Sequence, residues 1–216
     1  MINTLSIEFV PGERFSKQTP PNRIQSRQTI PDEANIIHRA RAGDVNAFNQ
    51  LVVIYQSQAY SVAYRILQSE DAADAVQETF MKVFRALPTF RNGQFKAWLM
   101  RILVNTCYDR LRQRRRQVSL SFDERLMPES TTDLADYAER PEAYVERMDV
   151  RQHIECGLQQ LPPNQRVAIV LCDIQGYSYE EIVAITGASL GTIKSRINRG
   201  RLRLRDFLLA RGVLPT

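Results

Sequence analysis

Arg101, Asn105, Tyr108 and Arg112 recur at steps of four, three and four. On a helix those steps put them along one face. Arginine and asparagine can pair bidentately with base edges, and an aromatic ring can stack on an unpaired base. A second set, Thr192, Lys194, Ser195, Arg196, Asn198 and Arg199, lies in a segment from Leu190 that reads as another helix. The chemistry both sets suit is recognition of nucleic acid.

A third set is acidic: Asp71, Asp74 and Glu78, with Gln77 and Lys82 beside them. Carboxylates in a first helical turn favour their own helix, because the unpaired N–H groups there carry positive charge. Three carboxylates with no histidine and no motif do not make a metal site. His153 and Cys156 are three residues apart, but two ligands do not complete a site either. No cofactor is expected. There is no phosphate-binding glycine loop and no nucleophile with its base, so a nuclease or other enzyme is disfavoured.

These residues need helices to hold them. Ile36, Ile37 and Ala40 lead to a turn at Ala42-Gly43-Asp44. Phe48, Leu51, Val52, Tyr55, Ala59, Val62, Ala63 and Ile66 then recur at helical steps. Ser69 is placed to cap a third helix, buried through Val76, Phe80, Val83, Phe84 and Leu87 and stopped by Pro88. A helix from about Phe95 to Arg116 should pack Trp98, Leu99, Ile102, Leu103 and Thr106, with Trp98 in the core rather than free to stack.

Periodicity disappears over 117–140, where six acids face two arginines. It resumes near Pro141, breaks at Pro162-Pro163, and returns over Gln165–Ile174, Ser178–Thr186 and Leu190–Leu209. Strand-like alternation is nearly absent, so the fold class is all-α. The organisation expected is a flexible extension over 1–31, helical domains over 32–116 and 141–212, and a flexible acidic linker over 117–140.

The stretch Ser178 to Ile197 reads as a helix-turn-helix. Ser178 and Glu181 fit a capping box, and Gly187 fits the tight turn. Ile182, Ile185, Ile193 and Ile197 would fill the angle between the helices. The second helix then turns its polar residues toward a major groove. Arg201, Arg203 and Arg205 behind it should meet phosphates, which position without specifying.

Charge supports this. The net charge is +5. Residues 91–117 hold eight Arg/Lys and one acid, and 190–212 hold seven and one. No apolar run is long enough to span a bilayer. The first ten residues do not read as a signal peptide. The three cysteines suit reduced thiols, so a cytoplasmic protein without membrane insertion is expected.

The segment from Asp71 to Leu87 resembles the core-polymerase-binding helix of sigma region two. Phe90 to Asn105, with its Arg-rich continuation, resembles the neighbouring promoter-melting and −10-recognition segment. Leu161-Pro-Pro-Asn-Gln-Arg-Val, Gly-Tyr-Ser-Tyr-Glu-Glu-Ile and Gly-Thr-Ile-Lys-Ser-Arg are similar to sigma region four. Their order and spacing over residues 34–210 resemble the extracytoplasmic-function sigma factors. Val183 and Thr186 depart from the pattern, which commonly has Ala and Leu there.

The resemblance implies a protein that binds core RNA polymerase and directs it to promoters. Asp71, Asp74, Gln77, Glu78 and Lys82 would face the clamp of the largest subunit, and the second domain the flap of the second-largest. Arg91, Asn92, Gly93 and Gln94 would join Arg101, Asn105, Tyr108 and Arg112 at the melted −10 strand. Thr192, Lys194, Ser195, Arg196, Asn198, Arg199 and Arg203 would meet the −35 element. It also implies an anti-sigma partner, and promoter elements around twenty-five base pairs apart, on the order of 85 Å. A helix-turn-helix regulator acting without polymerase is the alternative.

Overall fold

The computed structural model describes residues 33–91, 93–121 and 142–213. Every regular element among them is helical. The extension over 1–31 and most of the linker lie outside the described residues.

The first bundle begins with α1 (Glu33–Arg41) and α2 (Val45–Leu67). Asp44 caps α2, its carboxylate accepting from Asn46 N at 2.9 Å and Ala47 N at 3.1 Å. The α2 stripe expected from its period is buried from Phe48 to Ile66, with Val52 half-covered. Helix α3 (Asp71–Ala86) ends where Pro88 requires.

Two expectations for α3 are corrected. Its N-cap position is Glu70, with no side-chain cap, because the Ser69 hydroxyl accepts from Arg114 of α4 instead. Phe84 is 36% exposed, and its edge-on contact with Phe48, at 4.9 Å between centroids, ties it to the core.

Helix α4 spans Phe95–Ser121, five residues past Arg116. The added residues include neither Gly nor Pro, so nothing in them stops a helix. Leu99, Met100, Leu103, Val104, Thr106 and Cys107 are buried against α2 and α3. Each large apolar side chain so covered stabilises the bundle by about 1.5–3 kcal/mol relative to exposure.

The second bundle holds α5 (Glu142–Gln159), α6 (Pro163–Ile169), α7 (Tyr179–Thr186) and α8 (Leu190–Ala210). The stretch expected to stay helical to Ile174 instead widens into a π-type turn over Val170–Ile174, where Gln175 N reaches back to Val170 O at 3.0 Å. Helix α8 crosses α6 closely at Gly200, where an added Cβ would come within 2.7 Å of Ile169 Cγ1.

The bundles are not held apart. Helix α4 packs on α7, and α2 on α6 and the π-type turn, so both bundles belong to one compact unit beginning at Ala34.

Candidate nucleic-acid interface

The helix-turn-helix forms through local bonds that its sequence specifies. Ser178 Oγ accepts from Glu181 N at 3.2 Å, and Ser178 N donates to Glu181 Oε2 at 2.8 Å. Gly187 takes φ 71°, a left-handed conformation without cost to glycine, and its N–H returns to Val183 O. Ile182, Ile185, Ile193 and Ile197 are all buried in the angle between α7 and α8. Thr186, one of the two departures from the family pattern, donates its hydroxyl to Ile182 O at 2.7 Å and accepts from Ala188 N at 3.4 Å. It closes the turn with hydrogen bonds where a leucine would close it by packing.

Ser189 caps α8, accepting from Thr192 N at 3.3 Å. The Thr192 hydroxyl lies 2.8 Å from that of Ser189, and Ser195 Oγ donates to Thr192 O at 2.9 Å. These two hydroxyls therefore serve their own helix start. Lys194, Asn198 and Arg199 are exposed, and Arg196 is half-buried.

The basic residues behind them are partly engaged. Arg201 grips Asp173, with Nε 3.0 Å from Oδ2, and that carboxylate holds the guanidinium charge firmly. Arg203 reaches Gln165 Oε1 at 3.3 Å, and Arg205 pairs with Asp206 at 3.0 Å.

On α4, Arg101, Asn105 and Arg112 are exposed along one face, and Tyr108 among them is half-buried. Burial pushes the Tyr108 phenol up from its ordinary pKa, and the nearby Arg196 charge eases it back in part. Arg91, Gly93 and Gln94 are exposed, whereas Asn92 lies outside the described residues. Trp98 is half-buried at the root of this loop, 4.9 Å from the Phe90 ring and 5.7 Å from Phe95. It stands at the edge of the core.

The acids of α3 face α4. Arg114 pairs with Asp71, and Arg110 lies 3.0 Å from Glu78 and 3.8 Å from Asp74. Lys82 joins Glu78 at 2.8 Å and Thr106 Oγ1 at 3.1 Å. The Lys82 hydrogen bond, then that of Arg110, holds the Glu78 carboxyl below its ordinary range. Gln77 is exposed, and the Asp74 side chain is 68% exposed. Arg110 and Arg114 thus stitch the helices together, a role their place in a basic run concealed.

Among the described residues no group of three or more histidine, cysteine or acidic side chains could hold a metal. Cys107 is fully buried, and desolvation pushes its thiol up to about 12. No described helix is long and apolar enough to cross a membrane.

A family model described as Sigma-70 region 2 matches residues 51–117, and one described as Sigma-70, region 4 matches residues 151–204. The ECF RNA polymerase sigma-E factor of Salmonella typhimurium is 41% identical over 170 residues, covering 77% of this chain and 88% of the relative. The ECF RNA polymerase sigma factor SigE of Mycolicibacterium smegmatis is 39% identical over 163 residues, 75% of this chain, and the chain spans only 62% of that relative's length. The solved structure of the sigma factor RpoE in complex with the anti-sigma factor NepR, from Bartonella quintana, matches with a TM-score of 0.59 and 32% identity. That match covers 74% of this chain and 96% of the other.

Proposed function

The chain belongs to the extracytoplasmic-function sigma factors of the sigma-70 family, and from that membership we propose that it binds core RNA polymerase and directs it to promoters. It contributes recognition and leaves bond-making to the polymerase. The observation that carries this reading is the capped helix-turn-helix, with exposed Lys194, Asn198 and Arg199 on its second helix, in one chain with the cationic face of α4.

Helix α8 enters the major groove at the −35 element. Lys194, Arg196, Asn198 and Arg199 meet base edges, and Arg203 meets phosphate. Thr192 and Ser195 act mainly by holding the helix start, because their hydroxyls are already bonded there. At the −10 element, Arg91 to Gln94 and the face of Arg101, Asn105, Tyr108 and Arg112 hold the melted strand. An extruded base needs polar partners for its edge and basic or aromatic neighbours for its backbone and ring.

Polymerase contact falls on the outer edge of α3, through Asp74, Gln77 and Lys82. Asp71 and Glu78 support that edge from behind by fixing α4. An anti-sigma factor as a further partner is supported by the likeness to a sigma factor solved with one.

In-vitro transcription with core polymerase on a promoter library tests this. Promoter-dependent start sites are expected only when chain and core are combined. Tight, sequence-specific duplex binding by the chain alone, with no effect on core, would favour an ordinary helix-turn-helix regulator.

A further inference from the structure

Gln165 and Ile169 of α6 and Asp173 of the turn after it follow one another at steps of four, and so form one ridge. Helix α8 docks its middle on that ridge. Gly200 comes closest, since a Cβ there would lie 2.7 Å from Ile169 Cγ1 and 3.6 Å from Gln165 Cβ. Arg203 Nη1 reaches Gln165 Oε1 at 3.3 Å. At the other end Arg201 forks onto Asp173, with Nε 3.0 Å from Oδ2 and Nη2 2.5 Å from Oδ1.

These contacts do different things. The Gly200 crossing is a point, which sets how near the helices come and leaves their angle free. Ile193 and Ile197, buried in the angle with α7, make apolar contacts that have no preferred direction. A two-nitrogen fork on a carboxylate is directional, so it resists both rolling and tilting of α8. Asp173 itself stands on a tied backbone. Its π-type turn is closed by Gln175 N on Val170 O at 3.0 Å, Gly176 N on Cys172 O at 3.2 Å and Tyr177 N on Leu171 O at 3.0 Å. Such turns are rare and recur at functional sites.

The fork acts on the groove-facing residues through a short lever. Lys194 lies seven residues before Arg201, about 10 Å along the helix, so a tilt of about 10° at the fork would move it by about 2 Å. Hydrogen bonds to base edges do not survive such a shift. In stability the pair counts for little, because its side chains are 52% and 34% exposed. Two nitrogens of Arg201 are taken by Asp173, and Nη2 also lies 3.7 Å from Cys172 Sγ. They are not offered to a phosphate.

We propose that Asp173 and Arg201 are positioning residues for −35 recognition: the pair sets the angle of α8 in the groove, and Arg201 does not itself hold a phosphate. This rests on the sigma-factor reading above. It takes Arg201 out of the phosphate-binding set and brings in an acidic residue from outside the recognition helix.

The full-length chain, Asp173→Asn, Arg201→Gln and the double variant are each combined with core polymerase. Anisotropy then gives affinity for promoter DNA matched at both elements, mismatched at −35 or mismatched at −10. D173N and R201Q should each cut the −35 preference about fivefold, and the double variant should fall no further, because two residues acting as one unit are not additive. Preference at −10 and the salt dependence of binding should stay at the parent's values, and the urea midpoint should barely move. A D173N that binds every promoter more tightly, with a salt slope steeper by about 0.9, makes Arg201 a phosphate contact masked by Asp173 and overturns the proposal. Unchanged −35 preference in D173N and R201Q overturns it too. Should D173N lose helical content by circular dichroism, Arg201→Lys decides, because it keeps the charge and gives up the fork. Its −35 preference should still fall, and a parent-like preference overturns the proposal. A parent chain with no preference at either element fails the sigma-factor reading and this inference with it, whereas a discriminating parent matched by its variants fails this inference alone.

Discussion

Arg110 of α4 donates to Glu78 of α3 at 3.0 Å, a contact between the most basic and one of the most acidic stretches of the first bundle. With Arg114 on Asp71, it turns part of an apparent DNA-binding charge run into structural cement. Cationic residues of α4 that are not tied to α3 include Arg101, Arg112, Arg115 and Arg116, all exposed, with Arg112 3.5 Å from Asp109 on its own helix.

Glu78→Gln should therefore weaken the fold and change its response to acid. The Glu78 carboxyl titrates below its ordinary value of 4.5 when folded. The unfolded chain thus takes up its proton first as pH falls, and stability from this group is complete above that value and lost below it. Part-exposed pairs of this kind contribute up to about 1 kcal/mol. Urea melts at pH 7 should show that loss in E78Q, and the difference between the two proteins should shrink toward pH 3.

Asp74→Ala should separate binding from folding. Its side chain is 68% exposed, with only a 3.8 Å approach to Arg110. Stability should change by no more than about 0.5 kcal/mol, while affinity for core polymerase falls by about fivefold. Unchanged affinity in a pull-down titration would remove Asp74 from the polymerase surface.

Arg196→Ala should cost about 1–3 kcal/mol at the −35 element and relax base preference there. Polymerase-bound protein should be used, and competition between matched and mismatched duplexes read by anisotropy. Preference identical to the parent would mean that a different side chain of α8 reads the groove.

Gly200→Ala should destabilise the second bundle. The new methyl would meet Ile169 Cγ1 at 2.7 Å, and overpacking of this kind costs about 1–3 kcal/mol. A lower urea midpoint with an unchanged slope is expected.

Much of the fold was legible because its signals are local. The period of α2, the Ser178–Glu181 capping box and the Gly187 turn each depend on residues a few positions apart, and all three stand as expected. What escaped depends on partners distant in sequence. Ser69 looked like a cap until Arg114, forty-five residues later, claimed its hydroxyl. Nothing in the Leu161-Pro-Pro-Asn-Gln-Arg166 motif announces that its arginine also binds the end of α2, one hundred residues earlier. The polar faces of the site were visible as types and spacings. Which of their members stay free was decided by ion pairs across helices.

Trp98 is the chain's single tryptophan, and it leans on Phe90 and Phe95, the two rings that bracket the Arg91–Gln94 loop. Its fluorescence accordingly comes from one place in the molecule, without any label. A shift in its emission when a melted strand enters the loop would time that event in the unmodified protein, provided the polymerase's own tryptophans are subtracted.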